Sequence, residues 1–126
     1  MIIVDTSVWI TAHRKPQGPD AQTLRELLDA GEVALALPVR IEFLSRAAKT
    51  DRAKLRRALK ALPLVVPTDE TWQLIESWAA RARDVGQKFS IPDLLIAAAA
   101  SELVGLVWSL DKDFEEMEKL GFVKRY

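Results

Sequence analysis

The sequence predicts an α/β domain: a three-layer α/β/α sandwich with a central parallel sheet. Two observations carry that expectation. Short apolar runs at Ile2–Val4, Val33–Leu37, Leu64–Val66 and Leu106–Ser109 alternate with longer stretches whose apolar residues recur every three or four positions. The runs read as strands buried on both faces, and the stretches between them as amphipathic helices. Helix-length connections between successive strands favour parallel pairing, since parallel neighbours need a long crossover. At 126 residues the chain reads as a single domain, 1–126, long enough to bury a core without disulfides.

Each element has its local reason. Ile2–Val4 runs into Asp5-Thr6-Ser7, a strand followed by a helix cap. A short helix is expected through Ala12, then a loop over His13–Gly18 punctuated by Pro16 and Gly18. Pro19 and Asp20 open a helix with Leu24, Leu27 and Leu28 on one face, and Gly31 closes it. After the second strand, Pro38 starts a helix to about Ala48, with Ile41, Leu44 and Ala48 along its stripe. Thr50 is expected to cap the next helix, whose Leu55, Leu59 and Leu62 face inward. Thr68 caps a long helix to about Val85, with Trp72, Ile75, Trp78 and Ala79 inward and Gly86 at its end. Ser90 and Pro92 open a helix over Leu94–Val104 that is apolar almost all round, which marks it as the central buried one. Gly105 stops it. A short acidic helix, Asp111–Leu120, and a last strand, Phe122–Lys124, complete the expected order.

Composition removes several kinds of chemistry. The chain has no cysteine and one histidine, His13, so thiolate zinc sites, cysteine nucleophiles and histidine-rich metal sites are excluded. Any metal must be held mainly by oxygen, which favours magnesium or manganese. No apolar run is long enough to span a bilayer, and the N-terminus lacks a basic segment and cleavage site, so a cytoplasmic protein is expected. Eighteen basic and eighteen acidic residues cancel, but not evenly. Between Arg46 and Lys60 stand seven Lys/Arg and one acid, Asp51: a phosphate-attracting surface or a solvated helix face.

Four acids stand where the chain leaves a strand or enters a helix: Asp5, Glu42, Asp93 and Asp111. In open α/β sheets such positions gather beyond the carboxyl ends of the strands. Gathered carboxylates repel one another unless a cation lies between them, which points to a divalent metal. Taken singly, Asp5 could cap a helix, Asp93 could be a first-turn acid, and Asp111 and Asp113 could flank a turn. A metal held by such a set can activate water and steady the charge on a phosphodiester. Nothing else offers a nucleophile and base: His13 lies in a polar loop, and no second histidine exists to activate a serine. No phosphate-binding glycine loop is present.

Asp5-Thr6-Ser7-Val8-Trp9-Ile10, Glu42, Asp93-Leu94-Leu95-Ile96-Ala97-Ala98 and Ser109-Leu110-Asp111-Lys112-Asp113-Phe114 together resemble the PIN-domain family, in particular the VapC-type toxins of toxin–antitoxin pairs. The resemblance spans the whole chain. It implies a magnesium- or manganese-dependent endoribonuclease built on a parallel sheet. By motif, Asp5 and Asp93 would be the principal metal ligands, with Glu42 and Asp111 completing a catalytic acidic pocket and Asp113 as the alternative fourth acid. Thr6 and Ser109 match hydroxyls that orient ligands. Arg81, Arg83 and Gly86 lie in the stretch before Asp93 where such toxins often carry Arg and Gly, and are candidates for RNA contact or a solvated helix end; Arg40 beside Glu42 is a further candidate to pair with an acid or a phosphate. The resemblance also implies a homodimer and an antitoxin that inserts a peptide into the active-site groove. The alternatives are a non-catalytic RNA-binding domain of the same fold and a receiver-type signalling module. The receiver reading would require adjacent acids after the first strand, where Asp5 stands alone.

Overall fold

A computed structural model describes residues 1–126. The elements follow in the order β1 (Ile2–Val4), α1 (Thr6–Arg14), α2 (Pro19–Asp29), β2 (Val33–Ala36), α3 (Leu37–Arg46), α4 (Lys49–Lys60), β3 (Leu64–Val65), α5 (Asp69–Asp84), α6 (Ile91–Glu102), β4 (Leu106–Trp108) and α7 (Asp113–Lys119). The four strands form one sheet in the order β3-β2-β1-β4, and every pairing is parallel. The α/β class with a central parallel sheet is the one the sequence predicts.

The strand order has a functional consequence. From β1 the chain steps outward to β2 and β3, then returns across the sheet to place β4 on the other side of β1. Right-handed crossovers put the connections of the outward steps on one face and the return connection on the other. The strand order therefore reverses between β1 and β4, and the crevice beyond their carboxyl ends is where ligands of open α/β sheets bind.

One hydrophobic cluster of 31 buried residues runs through the molecule. Helix α6 is buried continuously from Leu94 to Ala100, which makes it the central helix its composition foretells. Its small alanines let it lie close to β1 and β2. Gly105 is required where α6 turns into β4, because a Cβ there would collide with the Met1 carbonyl oxygen. That oxygen accepts the Leu106 N–H at 3.1 Å, so the close approach is what seats β4 against β1. Val104, 94% exposed, takes the left-handed φ of 51° that glycine usually supplies at a helix end.

Several expected details differ. In α3 the buried residues are Val39 and Phe43, whereas Ile41 is 59% exposed. Phe43 packs on Trp9 with ring centroids 5.7 Å apart, and that contact sets the rotation of the helix. In α5 the inward stripe is Thr71, Ile75, Trp78 and Ala82, leaving Trp72 49% exposed and Ala79 on the surface. Thr71 is turned in by a reciprocal cap: its hydroxyl accepts the Thr68 N–H at 2.9 Å, and the Thr68 hydroxyl accepts the Thr71 N–H at 3.4 Å. Helix α4 begins after Ala48 without a side-chain cap, so Thr50 lies inside it. Helix α1 continues past Ala12 to Arg14, and Leu37 opens α3 rather than ending β2. The last expected strand reduces to a single parallel bridge, Val107 to Arg125, because Phe122 and Val123 turn into the core and Phe122 stacks on Trp78.

Candidate metal centre

The centre is built on the paired ends of β1 and β4. Register places Val4 beside Trp108, and the Asp5 N–H continues the ladder by donating to the Trp108 carbonyl at 2.8 Å. Asp5 and Ser109 therefore leave the sheet side by side. Asp5 is buried, 5% exposed, and forms the N-cap of α1 by accepting the Ser7 N–H at 3.4 Å. The same oxygen, Oδ2, accepts the Ser7 hydroxyl at 2.6 Å and the Ser109 hydroxyl at 2.7 Å. Those hydroxyls accept in turn: Ser7 Oγ takes the Leu110 N–H at 3.1 Å and Ser109 Oγ takes the Asp111 N–H at 3.0 Å. Asp5 is thus both a cap and the anchor of the loop that follows β4.

Three further carboxylates gather nearby, without Asp5 itself, although the Asp5 charge acts on Asp93. Asp93, Asp111 and Asp113 each place an oxygen within 4.8 Å of the others. Asp93 stands in the first turn of α6, whose N-cap Ser90 accepts the Asp93 N–H through its hydroxyl at 3.2 Å. Asp111 and Asp113 are brought to the same side by a tight local turn, in which Asp111 Oδ1 accepts the Asp113 N–H at 2.9 Å. Both acids of that motif therefore belong to the cluster, where the sequence left a choice between them.

Two of these acids are electrostatically perturbed. Burial, together with the neighbouring charges of Asp5, Asp111 and Asp113, pushes the Asp93 carboxyl up from 3.8 to about 6, although its hydrogen bond with Ser90 pulls the other way. Asp113 is also raised, by burial and then by Asp111 and Glu116. None of the ion pairs in the molecule involves these acids. An all-oxygen donor set with unbalanced negative charge fits a hard divalent cation.

Other expected site residues are placed less directly. Glu42 stays outside the cluster; its Oε1 accepts the hydroxyl of Thr6, the residue after Asp5, at 3.4 Å. Arg40 is half-buried two residues before Glu42 on α3, and Arg83 is exposed near the end of α5. Arg81 is committed elsewhere. Its guanidinium donates to the Leu120 carbonyl at 3.0 Å and lies 4.9 Å from the centre of the Phe122 ring, tying α5 to the C-terminal segment. Ser7 is a residue of this network that the sequence alone does not single out. Its signal was the hydroxyl two residues after Asp5, where a helix start folds it back onto the carboxylate.

The PIN domain family matches residues 2–120 of this chain. The chain belongs to the PIN-domain family. This PIN domain is 30% identical over 125 residues to VapC ribonuclease Mb1587 of Mycobacterium bovis, an alignment covering 95% of the chain and 93% of that relative. It shares the same identity and coverage with Ribonuclease VapC11 of Mycobacterium tuberculosis. Among solved structures, VapBC2 from Rickettsia felis bound to a promoter DNA fragment superposes with a TM-score of 0.79 at 18% identity, covering all of this chain and 98% of that one. FitAB bound to IR36 DNA superposes equally well, at 17% identity, with 100% and 94% covered. These structural matches establish the fold.

Proposed function

We propose that this PIN domain is a metal-dependent endoribonuclease that hydrolyses RNA phosphodiesters as the toxin of a toxin–antitoxin pair. The observation that carries the reading is the convergence of Asp93, Asp111 and Asp113 within 4.8 Å at the strand-order reversal, beside a buried Asp5. Like charges are gathered there at the expense of stability, an arrangement a bound cation would make favourable. The ribonuclease names of the VapC relatives support the substrate class.

In this reading Asp93, Asp111 and Asp113 hold magnesium or manganese, and Asp5 offers Oδ1, the oxygen that accepts no hydrogen bond from the chain. Such an ion supplies Lewis-acid stabilisation of a phosphodiester and a water of lowered pKa. Ser7 and Ser109 position Asp5 by fixing its other oxygen. Thr6 holds Glu42 at the flank of the centre, where Glu42 can accept a proton or orient water. Arg40 and Arg83 are the candidates for contact with RNA phosphates, while Arg81 is engaged with the Leu120 carbonyl.

The complexes named VapBC and FitAB among the structural neighbours suggest a cognate antitoxin for this chain as well. Beside Glu42, a hollow of about 320 Å³ is lined by Leu37, Pro38, Ile41, Trp72, Pro92 and Leu95, with Ile41 and Trp72 largely exposed. An apolar surface of this kind is suited to protein contact, which supports a homodimer or an antitoxin peptide near the centre. No helix is long and apolar enough to cross a membrane, and a cytoplasmic site of action fits the reading.

The test compares purified wild type with Asp5→Asn and Asp93→Asn on total RNA in magnesium, manganese or EDTA. Metal-dependent cleavage by wild type alone is expected. Equal cleavage by the variants, or cleavage that survives EDTA, would refute the reading.

A further inference from the structure

The basic helix singled out in the sequence has no part in the metal centre. Along α4, Lys49, Lys54, Arg56, Arg57 and Lys60 are all exposed. At 3.6 residues per turn they fall within an arc of about 160°, on the side away from Leu55 and Leu59. Only Thr50 and Ala53 share that arc, so no acid interrupts it. Asp51, the one acid of the helix, lies outside it with Oδ2 4.0 Å from His13 Nε2. None of the five cations takes part in an ion pair. Cations at the C-terminal end of the chain are treated differently: Lys119 and Arg125 are paired with Glu115, Glu116 and Glu118.

Structural reasons do not account for this face. Arg57 and Lys60 suit the negative end of the helix dipole, but Lys49 stands at the positive end. Lys54 and Arg57, Arg57 and Lys60, and Arg56 and Lys60 are like-charged neighbours at helical spacings that destabilise a helix. The positive surface also continues beyond α4. Arg14 and Arg46, with His13, line a hollow of about 70 Å³ between α1 and α3, next to the start of α4.

We infer that the outer face of α4 is a second RNA-binding surface, separate from the acidic centre, that grips the phosphate backbone of the substrate without reading its sequence. The helix spans about 16 Å over these residues, room for several successive phosphates of a single strand. Its exposed arc carries no large apolar side chain to bury in lipid, which favours a nucleic acid over a membrane surface. The inference rests on the ribonuclease reading for the identity of the polyanion, and its test is arranged to fail separately.

The test uses the full chain carrying Asp93→Asn, which removes cleavage, and adds Lys49→Gln, Arg57→Gln and Lys60→Gln, changes that keep helix-forming side chains. Binding of a fluorescein-labelled 20-nucleotide RNA is followed by anisotropy across a salt series. At low salt the added changes are expected to weaken binding by about tenfold or more and to reduce the slope of log K against log salt by about 2, from three lost phosphate contacts at about 0.7 each. In the cleavage-competent background the same three changes should lower kcat/KM on long RNA and leave cleavage of a tetranucleotide unchanged, with the thermal midpoint equal or higher. An RNA affinity and salt slope unaltered by the three changes would overturn the inference, including the case where only binding to phosphatidylserine vesicles falls. Wild type that binds RNA through α4 yet never cleaves it would instead refute the nuclease reading and leave this one standing.

Discussion

Two carboxylate regions meet where β1 and β4 end, and they differ in how their charge is balanced. Asp5 is nearly fully buried, yet one of its oxygens accepts two serine hydroxyls at 2.6 and 2.7 Å and a backbone N–H at 3.4 Å. Asp93, Asp111 and Asp113 lie within 4.8 Å of one another without a cation from the chain. In the first, one carboxylate oxygen is fully supplied with donors from the chain; in the second, three carboxylates face one another with no cationic partner from the chain. Partial exposure does not relieve a carboxylate when its neighbours are also acids, as Asp93 shows.

The sharpest way to break the comparison is to remove one acid from each region. Asp93→Asn should lower ribonuclease activity by about 100-fold or more, the scale of losing one preorganised electrostatic group, while the metal-free protein becomes more stable by thermal unfolding. Asp5→Ala should abolish activity comparably but destabilise, by about 1–3 kcal/mol, because the half-buried hydroxyls of Ser7 and Ser109 lose their acceptor. Opposite signs in stability for two acids of one site are the expected outcome. Losses of stability in both variants would show that Asp93 is already balanced within the fold.

A pH series sharpens the same contrast. The Asp93 carboxyl is raised from 3.8 to about 6, so the folded state binds its proton more tightly than the unfolded chain does. Its penalty is full above pH 6 and is relieved as pH falls from there toward 3.8. Metal-free wild type should therefore gain stability relative to Asp93→Asn between pH 7 and 5, measured by urea unfolding. Glu118, whose carboxyl is held below its ordinary 4.5 by Arg125, acts in the opposite sense only under that value. A flat difference across the window would contradict the assignment.

The smallest effect concerns the positioning hydroxyl. Ser7→Ala leaves Asp5 with the Ser109 hydroxyl and removes the acceptor of the Leu110 N–H. Activity should fall by about 10-fold to 100-fold, as for other groups that orient metal ligands, with about 1 kcal/mol of stability lost. Restoration of activity in Ser7→Thr would separate positioning from a general packing defect.

Much of this was legible in the sequence because its causes are local or periodic. The apolar runs of β1, β2 and β4, the Ser90 cap and the all-round apolar α6 follow from residue types at short range. The acids at strand and helix ends were legible for the same reason, since an alternating β/α order carries such positions to one edge. What stayed hidden depends on rotation and packing. Trp72 and Ile41 have helical spacing that fits an inward stripe, but the Thr68–Thr71 cap and the Phe43–Trp9 contact turn other residues in. Likewise, only the turn at Asp111 shows that Asp113 joins the cluster rather than replacing Asp111. The fate of Arg81 was beyond reach from sequence, because its partners Leu120 and Phe122 are distant along the chain.

Manganese titration by calorimetry, on metal-stripped wild type and on Asp93→Asn, tests the central claim most directly. Binding to wild type should saturate, with affinity at least about tenfold weaker in the variant, which loses one charged ligand. Equal affinity in the two proteins, or no binding to wild type, would contradict the claim that these carboxylates are gathered to hold a cation.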